Sequence, residues 1–224
     1  MAILLLISAL LAVLDWVAVA RGMKWLEYVA KPGTILFLLA WLLARAPLTP
    51  SLVWFEFALV FSLTGDILLM LPRERFMGAL ISFLVAHLFY IIGFNQEPFP
   101  VNLLVLPMVI VVFLAAAWLF VRVRAGLLRS GERGLVTPVF AYTLVISAML
   151  LSALVTLSRI EWRILPALVA SAGAALFFAS DGQLAWNRFV GPLRNARLRV
   201  ILTYHLAQFA IILAACWHFL GAPL

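Results

Sequence analysis

Two aspartates set in apolar sequence, Asp66 and Asp181, are the residues of this chain best suited to chemistry. A carboxylate at membrane depth costs about 3 kcal/mol or more, so one found there is a functional-site candidate. Asp181 follows Phe177-Phe178-Ala179-Ser180, and Ser171, Ala175 and Ala179 recur at every fourth position before it. Such small residues let a neighbouring helix come close. Arg188 lies seven residues beyond Asp181, on the same helical face. Asp66 has a matching setting: Gly65 precedes it, an apolar turn follows, and then come Arg75 and Phe76. Two carboxyls in a low dielectric resist ionising together, so one can hold a proton while the other carries charge. That is the equipment of a general acid paired with an anion. Taken singly, either acid also suits a structural role, capping a helix or pairing with Arg75 or Arg188.

The elements that must position these acids are membrane helices. The 224 residues are 67% hydrophobic and 11% charged, with a mean hydropathy of +1.17, which excludes an ordinary soluble domain. The reading is all-α: a polytopic bundle of eight transmembrane helices in a single integral membrane domain, residues 1–224. The spans fall at about 2–20, 25–44, 51–71, 76–94, 101–121, 135–157, 162–184 and 198–220. Glu27 and Lys31 interrupt the start of the second span, where Pro32 suits the first turn of the helix proper. The segments 64–78 and 179–191 share their grammar, including Arg75-Phe76-Met77-Gly78 against Arg188-Phe189-Val190-Gly191, and hint at a four-plus-four parallel repeat.

Charge gives orientation. Of the 16 basic residues, only Arg45, Arg159 and Arg163 lie on the side of the termini. The others cluster around residues 21–31, 73–75, 122–133 and 188–199. By the positive-inside rule both termini are extracytoplasmic, and the net charge of +7 needs no nucleic-acid partner. Ala18-Val19-Ala20 resembles a signal cleavage site, but a basic leader is lacking and Asp15 interrupts the run, so an uncleaved span is expected. The single cysteine, Cys216, allows no internal disulfide, and His87, His205 and His218 lack zinc-ligand spacing; no metal is expected.

Orientation also gives depth. Asp66 and Asp181 both fall near the cytoplasmic ends of their spans. Lys31, Tyr204, His205 and Gln208 reach the same level from spans two and eight, with His87 and Tyr90 nearer mid-membrane on span four. With Asn187 and Arg188 these form the candidate binding set around the two catalytic candidates. Lys31 alone would suit snorkelling to lipid phosphates. The tyrosines, Tyr142 among them, also suit interfacial anchoring. Glu56 and Asp15 have no obvious acidic partner and stay unassigned.

The ordered set Lys31-Pro32, Gly65-Asp66 with Ile67 to Met70, Phe83 to Tyr90 with His87, Phe177 to Asp181, and Thr203-Tyr204-His205 through Gln208 resembles the YhhN family of eight-span membrane proteins. The family motif often reads Tyr-Tyr where this chain has Tyr204-His205. The resemblance implies a lysoplasmalogenase: a hydrolase that cleaves the vinyl ether of a lysoplasmalogen to a fatty aldehyde and glycerophosphoethanolamine or glycerophosphocholine. Asp66 and Asp181 match the family aspartates implied as catalytic. No cofactor is implied; the partners are a lysophospholipid substrate and membrane lipids, and the location is a bacterial inner (plasma) membrane. The competing reading is a proton-coupled lipid or small-molecule transporter, which intramembrane acids and a repeat also suit.

Overall fold

The computed structural model describes residues 2–71, 75–100 and 102–221. Among them it is all-helical, with eight helices long and apolar enough to cross a membrane. They are α1 (Ala2–Arg21), α2 (Lys24–Arg45), α3 (Val53–Met70), α4 (Phe76–Phe94), α5 (Val105–Arg129), α6 (Val136–Val155), α7 (Ile164–Ala185) and α8 (Ala196–Leu220). The hairpins α1–α2, α3–α4 and α7–α8 are the most intimate pairs. In the first, Gly22 adopts a left-handed φ of +69° and the Met23 amide donates to the Ala18 carbonyl at 2.8 Å. This glycine cap lets the chain reverse within two residues.

Three elements depart from the expected spans. Pro32 lies inside α2, not at its start. The ring leaves the Tyr28 carbonyl without its helical donor, a loss membrane helices accommodate through their neighbours. Helix α5 runs on to Arg129 because Val123, Gly126 and Leu127 keep an inward face packed on Val139 and Phe189. Its arginines at 122, 124 and 129 therefore sit on a helix rather than a loop, where long side chains can snorkel. Helix α7 continues through one π-helical turn, Trp186–Val190, that carries Asn187 and Arg188. Arg73, counted above among the basic residues, and Val101, the expected start of the fifth span, lie outside the described residues.

The core is formed mainly by α2, α3, α4, α7 and α8, with Trp41, Phe55, Tyr90, Phe94 and Phe177 fully buried. At the end of the bundle bearing the termini, Glu97 gathers three elements. It accepts from Trp162 Nε1 at 3.2 Å, pairs with His218 Nε2 at 3.0 Å and lies 3.4 Å from the Arg159 guanidinium. Arg159 also donates to the Phe94 carbonyl and, at 2.7 Å, to Asn95 Oδ1. His218 stacks on Trp162 at 3.9 Å, which fixes the last turn of α8. The opposite, basic end carries Asp66 and Asp181.

Helix α5 is the least buried of the eight and is pinned at its basic end. A Cβ on Gly126 would lie 1.8 Å from the Phe189 carbonyl oxygen. Gly126→Ala must therefore push α5 off the π-helical turn and is expected to destabilise the fold by about 1–3 kcal/mol. Gly134→Ala, where nothing lies within 4 Å, serves as the control. Thermal unfolding in detergent should show a lower midpoint for the first variant and an unchanged one for the second.

Candidate active site

Asp66 is held by one donor on each oxygen. Lys31 Nζ lies 3.0 Å from Oδ1, and Tyr204 Oη donates to Oδ2 at 2.7 Å. The aspartate is 1% exposed, so this arrangement compensates a carboxylate removed from water. The sequence permits it at two close points. Lys31 precedes Pro32 on the inward face of α2. Gly65 has no side chain, and a Cβ there would lie 2.6 Å from the Phe83 ring. Phe83 instead packs edge-on against Tyr204, with centroids 5.9 Å apart, and keeps the phenol over Asp66.

Asp181 is held differently. Tyr142 Oη donates to Asp181 Oδ2, and His87 Nε2 lies 3.4 Å from the same oxygen and 3.0 Å from Tyr142 Oη. Both contacts fall on Oδ2, so Oδ1 carries neither. The Asp181 side chain is 16% exposed. Between the two aspartate groups stands Phe177, fully buried and one helical turn before Asp181. Its ring meets His87 at 4.7 Å, Tyr204 at 5.4 Å and Tyr90 at 6.3 Å. Tyr90 in turn donates to Gln208 Oε1 at 2.5 Å, tying α4 to α8.

The two groups correspond in construction. Asp66 on α3 draws Lys31 from α2 and Tyr204 from α8. Asp181 on α7 draws Tyr142 from α6 and His87 from α4. Moving four helices along the bundle converts one scheme into the other. The residue types differ, so one acid has a full cation beside it and the other has a phenol and an imidazole.

Two cavities meet beside these groups. The first is narrow and apolar, with a cavity volume of about 60 Å³, and has Asp181 and Tyr142 in a wall otherwise made by residues such as Phe76, Leu80, Phe83, Leu119, Ile146 and Phe178. The second, about 380 Å³, is the more polar of the two: Lys24, Glu27, Lys31, Asn187 and Arg197 line it beside apolar residues such as Val19, Met70 and Ile201. Leu69 and Leu184 line both and form the boundary between them. Glu27 is bonded to Arg197 at 2.6 Å and to Lys24 at 3.2 Å.

The structure thus gathers Lys31, Asp66, Tyr204, His87 and Asp181, with Tyr90 and Gln208 as the link behind them. Among the described residues, the two carboxyls do not line one shared cavity. Asp181 lines the apolar one, whereas Asp66 lines neither and sits behind Lys31. His205 turns away from its neighbour Tyr204 toward α1, because consecutive helical residues point about 100° apart. There it accepts from Trp16 Nε1 at 3.2 Å and faces Asp15 at 4.0 Å. Arg188 stacks over the Phe76 ring at 4.1 Å, since the π-helical turn shifts it off the Asp181 face. Asn187 lines the polar cavity and accepts from the Leu193 amide at 3.0 Å. Tyr142, Glu27 and Arg197 were not in the sequence-derived set. Tyr142 lies two turns into α6, a depth at which a tyrosine reads as an interfacial anchor.

Removing one partner of a buried ion pair strands the other. Asp66→Asn and Lys31→Met are each expected to destabilise the fold by about 3 kcal/mol, and the double variant by clearly less than their sum. Unfolding of the four proteins in detergent checks this; strictly additive losses would mean that the two groups are not coupled.

Comparison with known proteins points one way. Residues 26–215 match the profile of the YhhN family. The chain is 36% identical to lysoplasmalogenase TMEM86B of Mus musculus, over 89% of this chain and 79% of that protein. It is 32% identical to lysoplasmalogenase TMEM86B of Homo sapiens, over 86% of this chain and 76% of that one. It is also 41% identical to the uncharacterized membrane protein YhhN of Escherichia coli O157:H7, over 38% of this chain and 45% of that protein. No solved structure matches the chain significantly. With the family profile spanning most of its length and its residues in place across the bundle, this chain belongs to the YhhN family.

Proposed function

We propose that this protein is a membrane hydrolase that cleaves the vinyl ether of a lysoplasmalogen, with Asp181 as the proton donor. One observation carries the reading: a carboxyl in the wall of an apolar cavity that adjoins a cationic, polar one. This pair of cavities suits an amphiphile with one hydrocarbon chain. The alkenyl chain lies along the apolar cavity, whose wall is made mostly of hydrocarbon side chains. The phosphate meets Lys31 and Arg197. The ether, at the junction of chain and headgroup, then lies near Leu69 and Leu184, beside Asp181. The names of the similar proteins, lysoplasmalogenases, favour the same reaction.

The chemistry follows from these positions. Protonated Asp181 gives its proton to the vinyl carbon β to oxygen, and the π electrons form the new C–H bond. The cation left at the carbon bearing oxygen faces the carboxylate just created, an electrostatic stabilisation already in place. Water adds to that carbon and Asp181 takes up the released proton. The hemiacetal then collapses, its hydroxyl proton passing to the glyceryl oxygen as the carbon–oxygen bond breaks. The products are a fatty aldehyde and the glycerophospho-headgroup alcohol. Tyr142 and His87 fix Oδ2, leaving Oδ1 to move the proton. Asp66 acts through Lys31: it neutralises the ammonium in the empty site and holds it toward the phosphate. The transporter reading calls for movement of the substrate without bond cleavage.

Purified protein in detergent, without a sealed membrane, is expected to release aldehyde from a lysoplasmenyl lipid; uptake into vesicles with no cleavage would favour the transporter instead. Asp181→Asn should lower turnover by about 10²–10⁴-fold with the unfolding midpoint preserved, since Asn neither gives a proton nor carries charge. A well-folded Asp181→Asn protein with near-normal turnover would end the assignment.

We also infer a bacterial inner membrane with both termini outside, which puts the polar cavity at the cytoplasmic face. The concentration of basic residues at that end supports it. Reporter fusions after Leu224 should be active only with a reporter that works outside the cytoplasm.

A further inference from the structure

Helices α5 and α7 meet at the basic end, where Gly126 lies on the Phe189 carbonyl, and part from one another farther into the bundle. The opening between them is an apolar groove of about 900 Å³ on the outer surface. Ala115 and Trp118 form one side, and Ala179, Gln183 and Trp186 the other, with Arg199 at the basic end. The two indoles stack at 5.3 Å with their planes 19° apart. Three residues, Leu119, Phe178 and Gly182, line both this groove and the apolar cavity that holds Asp181. The partition is therefore thin. Because residue 182 has no side chain, a Leu119 methyl lies over it, 3.1 Å from where a Cβ would stand.

We propose that this groove is the port through which the hydrocarbon chain of a lysophospholipid passes from the bilayer to Asp181, with Leu119 as the movable partition over Gly182. The inference rests on the substrate class argued above. The groove's chemistry fits one occupant. A cation at its mouth suits a phosphate, two indoles suit the headgroup boundary, and small apolar residues below leave room for a single chain. A chain that enters sideways need not pass through water, and its far end can remain in the groove. The enzyme would then accept chains longer than the inner cavity holds.

Leu119 is only partly buried, and a change of side-chain rotamer there is an ordinary motion. Residues 115 and 179 are exposed alanines that line the groove and not the inner cavity, so a larger side chain there blocks the port without touching Asp181.

The test uses Ala115→Phe and Ala179→Phe in the full-length protein. Two substrates are compared: a long-chain lysoplasmenylcholine in phosphatidylcholine vesicles and a short-chain, water-soluble analogue. Each variant should lose about tenfold or more in kcat/KM on the vesicle substrate, with a much smaller change on the soluble one. A second measurement is independent of turnover: a lysophosphatidylcholine with a photoactivatable group at the chain end should label Trp118 or Leu119, and Ala179→Phe should suppress the label. Equal effects on both substrates, no effect on either, or labelling confined to other faces would overturn the port. If the wild-type protein cleaves neither substrate but the label still maps to Leu119 and is lost in Ala179→Phe, the hydrolase reading fails and the groove stands as a lysolipid site.

Discussion

A carboxylate in a membrane-embedded core is costly unless it is paired, and the arrangement around Asp66 answers that constraint. Asp66 is 1% exposed, and its two oxygens take an ammonium from α2 and a phenol from α8. Three helices are thereby fixed relative to each other by groups that are costly to separate. The packing follows from the same need. Gly65 admits the Phe83 ring, Phe83 braces Tyr204, and Phe177 fills the space between this group and the next. Buried polar groups with complete partners specify a single arrangement where apolar contacts alone tolerate several.

The second acid shows the same plan put to another use. Its partners come from corresponding helices, but a phenol and an imidazole stand where Asp66 has a lysine and a phenol. One carboxyl is committed to a cation and closed off. The other keeps an oxygen beside an apolar cavity. Division of labour between two similar sites is a common outcome when environment, not residue type, sets what a carboxyl does. The Tyr90–Gln208 bond lies between them and joins α4 to α8, the helices that supply His87 and Tyr204.

Asp15 lies buried 4.0 Å from His205 with neither of its oxygens hydrogen-bonded among the described residues, and beside it runs a third buried contact, the 3.2 Å hydrogen bond from Trp16 Nε1 to the His205 imidazole. It ties α1 to α8 on the side away from Asp181. A position read from depth alone as part of the site is in this way turned to packing of the outermost hairpin.

The sequence by itself determined the eight spans, the basic end and the two acids as the centre of interest. These rest on one-dimensional quantities: run length, charge count and the cost of an ion in hydrocarbon. It also placed Lys31 and Tyr204 at the level of Asp66, because depth follows from counting residues along a helix, whereas His87, read as nearer mid-membrane, reaches Asp181 at 3.4 Å. Only the tertiary structure decided which way each side chain faces. That choice brought Tyr142 to Asp181, turned His205 to α1, set Arg188 on Phe76 and kept Asp66 out of the cavity. The reason is physical. In a soluble helix the apolar stripe marks the inward face, but lipid is as apolar as leucine, so helices such as α3 and α7 are apolar on nearly every side. Their rotation is set by small residues, close ring contacts and hydrogen bonds to other helices, none of which a single helix's sequence contains.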